Sequence, residues 1–213
     1  MKKILLINFV LIVLGGLLFS GNYSGGMGTS ENPYKIANLD DLSELCQTPT
    51  DWDSYFIQTD DINASETQYW DDSDDNNDGN LFNDANDSNS NGVNEGFLPI
   101  GRKIEEWNQF TGSYDGNGFI IEGLYINRVH SDFIGLFGYA SGCEIKNLGI
   151  TNVRIEGNQR VGALIGKSDM FSIVRSCYST GNVSADITIG GLIGKNYYEA
   201  IVKSSYSDAN VSG

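Results

Sequence analysis

The sequence predicts an all-β chain: a parallel β-solenoid of about four partial coils with one acidic loop let into it. Three observations predict it. A glycine-closed apolar core recurs, as Ile134, Gly135, Leu136, Phe137, Gly138, then Val161 to Gly166, then Ile189 to Gly194, and the closing glycines Gly138, Gly166 and Gly194 stand 28 residues apart. Units of that length cannot bury an apolar face alone, so they stack on their neighbours. The chain has 26 Gly against 3 Pro, and its apolar segments are short and rich in β-branched residues. That composition suits frequent turns between short strands and opposes a helical solenoid, which needs long runs of helix period and few glycines. The third observation is that the 28-residue step recurs downstream, relating Ile145, Ile173 and Ile201; Ile150, Tyr178 and Tyr206; and Ile155, Val183 and Val211. In a parallel solenoid such residues form ladders with a rise of about 4.8 Å per coil. Antiparallel hairpins in a sandwich or propeller are the competing architecture. A shorter copy precedes these, because Ile121, Leu124 and Ile126 fall 24 residues before Ile145, Leu148 and Ile150.

The chain opens with Lys2 and Lys3, an apolar run from Ile4 to Phe19, and then Ser20, Gly21 and Asn22. This is the layout of a secretory signal peptide, residues 1–20, and the run is shorter than the roughly 18 to 20 residues of a spanning helix. The expectation is an exported protein with no integral membrane span after cleavage. Residues 21–133 are expected to form an N-terminal cap and the first coils. Within them, Tyr34 to Ile36 and Tyr55 to Ile57 read as strands, and Leu39, Leu42 and Leu45 mark a short helix. Phe110 to Tyr114 and Phe119 to Ile121 flank the turn signal Asp115, Gly116, Asn117, Gly118. Residues 134–213 hold the repeats. The chain stops at Val211, Ser212, Gly213, where a repeat ends with no polar cap, which predicts a reading frame cut short.

The formal charge of -15 excludes a nucleic-acid partner, which would need clustered Lys and Arg. The acidity is local, with 22 of the 28 acidic residues before position 133. Residues 71–96 hold eight of them, with eight Asn and no basic residue. Asp74, Asn76, Asp78 with Gly79, and Asp87, Asn89, Asn91 with Gly92, each match the opening of an oxygen-ligand calcium loop. The bidentate Glu at the twelfth position is missing in both, and Asp84 and Glu95 are the nearest substitutes. The eight residues Asp74, Asn76, Asp78, Asp84, Asp87, Asn89, Asn91 and Glu95 are thus a candidate calcium set, of the weak class at about 10⁻⁴ to 10⁻³ M. A solvated, self-repelling loop is the plainer reading.

Other candidate chemistry is thin. Cys46, Cys143 and Cys177 permit at most one disulfide, and one histidine, His130, cannot complete a zinc site or a Ser-His-Asp set. Asp115 is expected to accept the N–H groups of Gly116 and Asn117 in an Asx turn, with a glycosidase acid as the rival role. Trp52, Trp70, Trp107, Tyr197 and Tyr198 could stack on sugars, although core packing is commoner for aromatics in β-folds. Arg102, Lys103 and Arg128 are the only basic residues of the acidic half after Lys35.

The Gly-Gly-Leu-Ile-Gly cores, followed by Ser176, Cys177, Tyr178, Ser179, Thr180, Gly181, Asn182, Val183, resemble the GLUG-motif repeats of bacterial surface and secreted proteins. The segments Tyr23 to Gly26, Asn32 to Tyr34, Gln58 to Ser65, Pro99 to Gly101 and Phe110 to Gly118 resemble the region that often precedes those repeats. The resemblance implies a right-handed parallel β-helix on an exported bacterial protein, secreted or at the cell surface, and carries no catalytic residue. The expected function is structural or adhesive and non-enzymatic, toward an unidentified surface ligand such as a glycan or a host or matrix protein. A calcium-dependent polysaccharide-binding or polysaccharide-cleaving protein on the same fold is the alternative.

Overall fold

The computed structural model describes residues 21–70, 94–103 and 107–213. The described chain is a parallel β-solenoid of about four turns with little helix. Among the described residues, seventeen strands, numbered β1 to β17 along the chain, build three parallel sheets and one hairpin. The first sheet stacks β1 (Tyr34–Ile36), β2 (Tyr55–Gln58), β6 (Ser113–Asp115), β10 (Glu144–Lys146), β13 (Ile173–Arg175) and β16 (Ile201–Lys203). The second runs from β3 (Ile62–Asn63) through β7 (Ile120–Glu122), with β8 (Tyr125–Arg128) beside it, to β11 (Gly149–Val161), β14 (Tyr178–Ile189) and β17 (Tyr206–Ser212). The third holds β9 (Phe137–Ser141), β12 (Ile165–Asp169) and β15 (Ile193–Asn196). Ile100 and Phe110 prolong it toward the first coil through single parallel bridges to Phe137 and Ala140. The hairpin of β4 (Arg102–Lys103) and β5 (Trp107–Asn108) interrupts that coil.

The three- and four-residue strands of the first sheet leave the coil corners to set their register. Asn147, Ser176 and Ser204 follow successive strands of the first sheet with φ of 53°, 55° and 50°, and Asn117 does the same at 54° one turn earlier. Left-handed backbone is tolerated best by residues with short polar side chains, which is why Asn and Ser recur there. Asp115 forms the expected Asx turn, but its Oδ1 accepts from the Asn117 N–H at 2.9 Å, whereas the Gly116 N–H donates to the Lys146 carbonyl of the next coil.

The core is a set of vertical ladders. On the first sheet Phe56, Tyr114, Ile145, Val174 and Val202 lie one above another, large at the start and small at the end. On the second, Ile126, Ile155, Val183 and Val211 form the predicted aliphatic ladder, extended by one rung. The 28-residue step fails in two places. Ile145 stacks on Val174, not Ile173, and Tyr178 stacks on Gly149, not Ile150. The corner at Met170 and Phe171, both left-handed, holds one residue more than the corner at Gly142, which shifts the next strand. A bulge between Ile150 and Val153, where Asn152 has φ 53°, then takes one extra residue in the coil below and restores the step. The 24-residue copy is likewise not a coil, because Ile121 lies under Ile150 and Ile126 under Ile155, each 29 residues away.

The N-terminal end is closed by residues 21–33 and by helix α1 (Leu39–Gln47), whose Leu42, Leu45 and Cys46 are buried. Asn38 caps it, its side chain accepting from the Asp41 N–H. Asp41 in turn accepts from Ser24 Oγ and the Ala37 N–H, both at 2.7 Å, which ties the leading segment to the helix. The last rung is open. Val183 is 1% exposed, but Val211 directly above it is 47% exposed.

All three cysteines are buried and unpaired. Burial pushes each thiol up to about 11, so none carries appreciable thiolate at neutral pH. Native protein should therefore leave all three unlabelled by iodoacetamide over minutes at pH 7.5, and denatured protein should take up three, as read by mass spectrometry.

Candidate functional site

The outward faces carry the exposed chemistry, and two of them are organised. On the first sheet Asp115, Lys146, Arg175 and Lys203 form one outward column. Lys146 Nζ lies 3.5 Å from Asp115 and 3.1 Å from Glu144, and Arg175 Nε lies 2.9 Å from Glu144. Partial burial pushes the Glu144 carboxyl up, but hydrogen bonds from Arg175 and Lys146 outweigh it and hold it below the ordinary range. The cluster combines two carboxylates with two cations, yet they pair with one another across a flat sheet. Asp115 Oδ1 also accepts from Asn147 Nδ2 at 2.9 Å.

The third sheet presents the more distinctive surface. Tyr139, Lys167 and Lys195 occupy one outward column, each directly after a closing glycine. Lys167 Nζ sits 4.5 Å from the centre of the Tyr139 ring and 5.7 Å from that of Tyr197, and Lys195 Nζ sits 4.9 Å from Tyr197. At the adjoining corner the Arg160 guanidinium lies 4.8 Å over the Phe133 ring, which stacks on Tyr139 at 5.8 Å. These contacts join six side chains into one cation and aromatic track. Lys167 is steadied by Asp169 at 2.6 Å, and Tyr139 Oη donates to the same carboxylate at 3.0 Å. Burial pushes the Asp169 carboxyl up, but those hydrogen bonds prevail and hold it below the usual range.

The track leads to a cavity of about 250 Å³ lined by Leu98, Pro99, Arg102, Arg128, Phe133 and Ile134, with Ser131 and Asp132 at its side. Arg102 Nη1 donates to the carbonyls of Cys46 at 2.8 Å and Pro99 at 3.2 Å, and its guanidinium stands 5.4 Å over Trp52. Arg128 donates to the carbonyls of Phe97 and Gly96 at 3.4 and 3.3 Å. Burial pulls the Arg102 guanidinium below its ordinary value, with the nearby Arg128 charge adding to the fall. Asp132 is engaged by Asn158 at 2.9 Å and Arg160 at 3.4 Å.

Of the sequence-selected residues, Asp74, Asn76, Asp78, Asp84, Asp87, Asn89 and Asn91 lie outside the described residues, as does the export segment 1–20. Glu95 is half-buried, and its carbonyl accepts from the Asn127 N–H at 2.9 Å. Among the described residues no group of His, Cys, Asp or Glu is placed to hold a metal, and no helix is long and apolar enough to cross a membrane. Trp52 and Trp70 are core residues, with Trp52 only 1% exposed and its Nε1 donating to the Leu45 carbonyl. Trp107 lies in β5. Tyr197 and Tyr198 are exposed; Tyr197 joins the track, and the Tyr198 ring lies 6.4 Å from that of Tyr197. His130 is exposed in a turn. Sequence reasoning missed Lys167, Lys195 and Tyr139, although their 28-residue spacing was present to be read.

The depressed Asp169 carboxyl carries a sign. Its contribution is complete above the ordinary aspartate range, about 3.9, and is lost as pH falls through the lower folded value. Asp169→Asn should therefore lower thermal stability at pH 7 and flatten its decline between about pH 4 and pH 2. Melting curves of both proteins across that interval check it.

The fold and this surface define a parallel β-solenoid whose outward columns, not its closed interior, carry its distinctive chemistry. No protein-family model matches the chain. It is similar to Halomucin of Haloquadratum walsbyi, at 34% identity over 173 residues, 80% of this chain and 2% of that protein. It is also similar to "Putative Gly-rich membrane protein" of Evansella cellulosilytica, at 32% identity over 157 residues, 70% of this chain and 15% of that protein. The chain thus spans a small part of each relative. Among solved structures it resembles "a putative immunoglobulin A1 protease from Bacteroides ovatus", with a TM-score of 0.54 and 16% identity, over 88% of this chain and 50% of that one. That likeness shows the fold alone.

Proposed function

We propose that this chain is an exported β-solenoid module, displayed at the cell surface or secreted, that adheres through its outward columns and performs no catalysis. The observation that carries the reading is the track of Phe133, Tyr139, Arg160, Lys167, Lys195 and Tyr197, carried by strands and by the corners beside them, over an interior filled by packed ladders. A stacked rod holds such groups at fixed spacing without moving parts, which favours multivalent attachment. The two relatives, one named a membrane protein, are in keeping with a surface setting. We assign the glycine-closed cores to GLUG-type repeats on the motifs already quoted.

The Asp115, Glu144, Lys146 and Arg175 cluster is what a polysaccharide-cleaving reading would use, so the test must include turnover. Beads coated with the purified chain should be retained on at least one of a panel of immobilised polysaccharides and matrix proteins, with no new reducing ends or unsaturated products released. Product release would overturn the non-catalytic reading, and absence of retention across the panel would overturn adhesion. For the acidic segment 71–96 the proposed ion is calcium, and titration should give saturable heat that Asp74→Asn with Asp78→Asn removes. A titration without heat would reduce the segment to a solvated loop.

A further inference from the structure

We infer that the corner between the third and first sheets, with the groove beside it, is a binding site for an uncharged glycan. The inference rests on the adhesive reading and gives it a ligand class. At this corner one coil turns through Met170 and Phe171 with φ of 44° and 62°, and the next turns through Tyr198 and Glu199 at 40° and 58°. One coil earlier the turn is made by Gly142 at 64°, the residue type that adopts this backbone without strain. Bulky side chains are disfavoured in left-handed backbone, and strain of that kind gathers at functional positions. Burial does not offset it here, because Phe171 and Tyr198 are both exposed. Their rings meet edge to face at 6.0 Å, and Tyr197 lies 6.4 Å from Tyr198. Exposed Ile173 and Ile201, register neighbours on the first sheet, adjoin them, so the corner is an apolar ridge open to solvent.

Phe171 and Ile173 also line a groove of about 310 Å³ that includes Tyr55. The outward column of the first sheet runs Tyr55, Ser113, Glu144, Ile173, so its apolar ends stand three rungs, about 14 Å, apart. Thr111, Ser113, Asp53 and Glu144 line the same groove, which thus offers hydroxyl and carboxylate groups beside ring and aliphatic faces. Glu144 is fixed by Lys146 at 3.1 Å and Arg175 at 2.9 Å, and a carboxylate so held keeps lone pairs for a hydroxyl donor.

These groups select the occupant. An extended peptide would need a free strand edge, and here the Ser113, Glu144 and Ile173 N–H groups already donate to the Ser54, Gly112 and Cys143 carbonyls. Among the described residues, the charged groups lining the groove are two acids, which disfavours an acidic ligand. A second copy seated symmetrically would bring the same two acids against them. A neutral glycan meets neither obstacle, since its carbon faces stack on the rings while its hydroxyls donate to the carboxylates.

The test is affinity electrophoresis of the purified chain through gels containing hydroxyethyl cellulose, galactomannan, neutral dextran or polygalacturonate. Retardation is expected with at least one of the three neutral polymers and not with polygalacturonate. Phe171→Ser and, separately, Tyr55→Ser should weaken it at least tenfold, while Tyr206→Ser, at an exposed tyrosine of the second sheet, stays within twofold. Circular dichroism confirms that each variant folds. Retardation that survives both groove variants, equal weakening by Tyr206→Ser, or equal retardation by polygalacturonate would overturn the inference. So would absence of retardation by all three neutral polymers; if the same protein on beads still adheres to a matrix protein or an acidic polysaccharide, the adhesive reading stands, and if it adheres to nothing both fall.

Discussion

Replacing Gly166 by alanine should destabilise the chain by about 1–3 kcal/mol, and replacement by valine by more, because the site has no room for a side chain. A Cβ there would lie 2.5 Å from the carbonyl carbon of Phe133, 2.6 Å from Ile134 N and 2.7 Å from Arg160 O, all of them backbone atoms that cannot swing aside. Gly138 and Gly194, its counterparts one coil before and after, meet backbone at 2.6 and 2.5 Å. The motif closes on glycine because the corner of one coil crosses directly over the strand of another, so the constraint is space and not conformation. Gly118 supplies the control, for it has φ +87° and nothing within 4 Å of its Cβ position. Gly118→Ala should cost only the conformational strain, about 1 kcal/mol. Thermal melts of the two variants distinguish the causes, and equal costs would mean that the crossing is looser than described.

The second large effect comes from one ladder read at its two ends. Ile155→Ala should cost about 2–5 kcal/mol, since Ile155 is 2% exposed between Ile126 below and Val183 above. Val211→Ala, at the open top of the same ladder and 47% exposed, should stay within about 0.5 kcal/mol. Denaturant melts at constant m-value provide the comparison. A large cost at Val211 would show that the last rung is covered in solution.

These two predictions rest on features that differ in how readable they were. The glycine spacing and the Ile155, Val183, Val211 ladder could be read directly, because a parallel coil repeats its tightest crossing and its deepest apolar position at the coil length. The Ile145 and Ile150 ladders were misread, because an extra residue at the Met170 corner and an extra residue at the Asn152 bulge cancel, so the step looks unbroken from outside. Local insertions of one residue leave little trace in spacing, while they flip every side chain between them to a new rung partner.

The candidate track was legible in part. Tyr139, Lys167 and Lys195 follow their closing glycines by one residue each, but a lysine outside a core repeat reads as ordinary solvated surface until its neighbours are known. Arg102 and Arg128 were visible as isolated cations. Their meeting in one cavity depends on the hairpin of β4 and β5 and on the corner at Phe133, neither of which has a repeat signature. Trp52 shows the converse, an aromatic of apparent binding type that the helix above it buries.

The most direct test of the account as a whole is to express residues 1–213 in a bacterial host, fractionate the cells and determine the N-terminus and accessibility of the product. The account predicts a chain that begins near Gly21, found in the medium or on the envelope and open to antibody or added protease on intact cells. A full-length chain retained in the cytoplasm and shielded from both would contradict it.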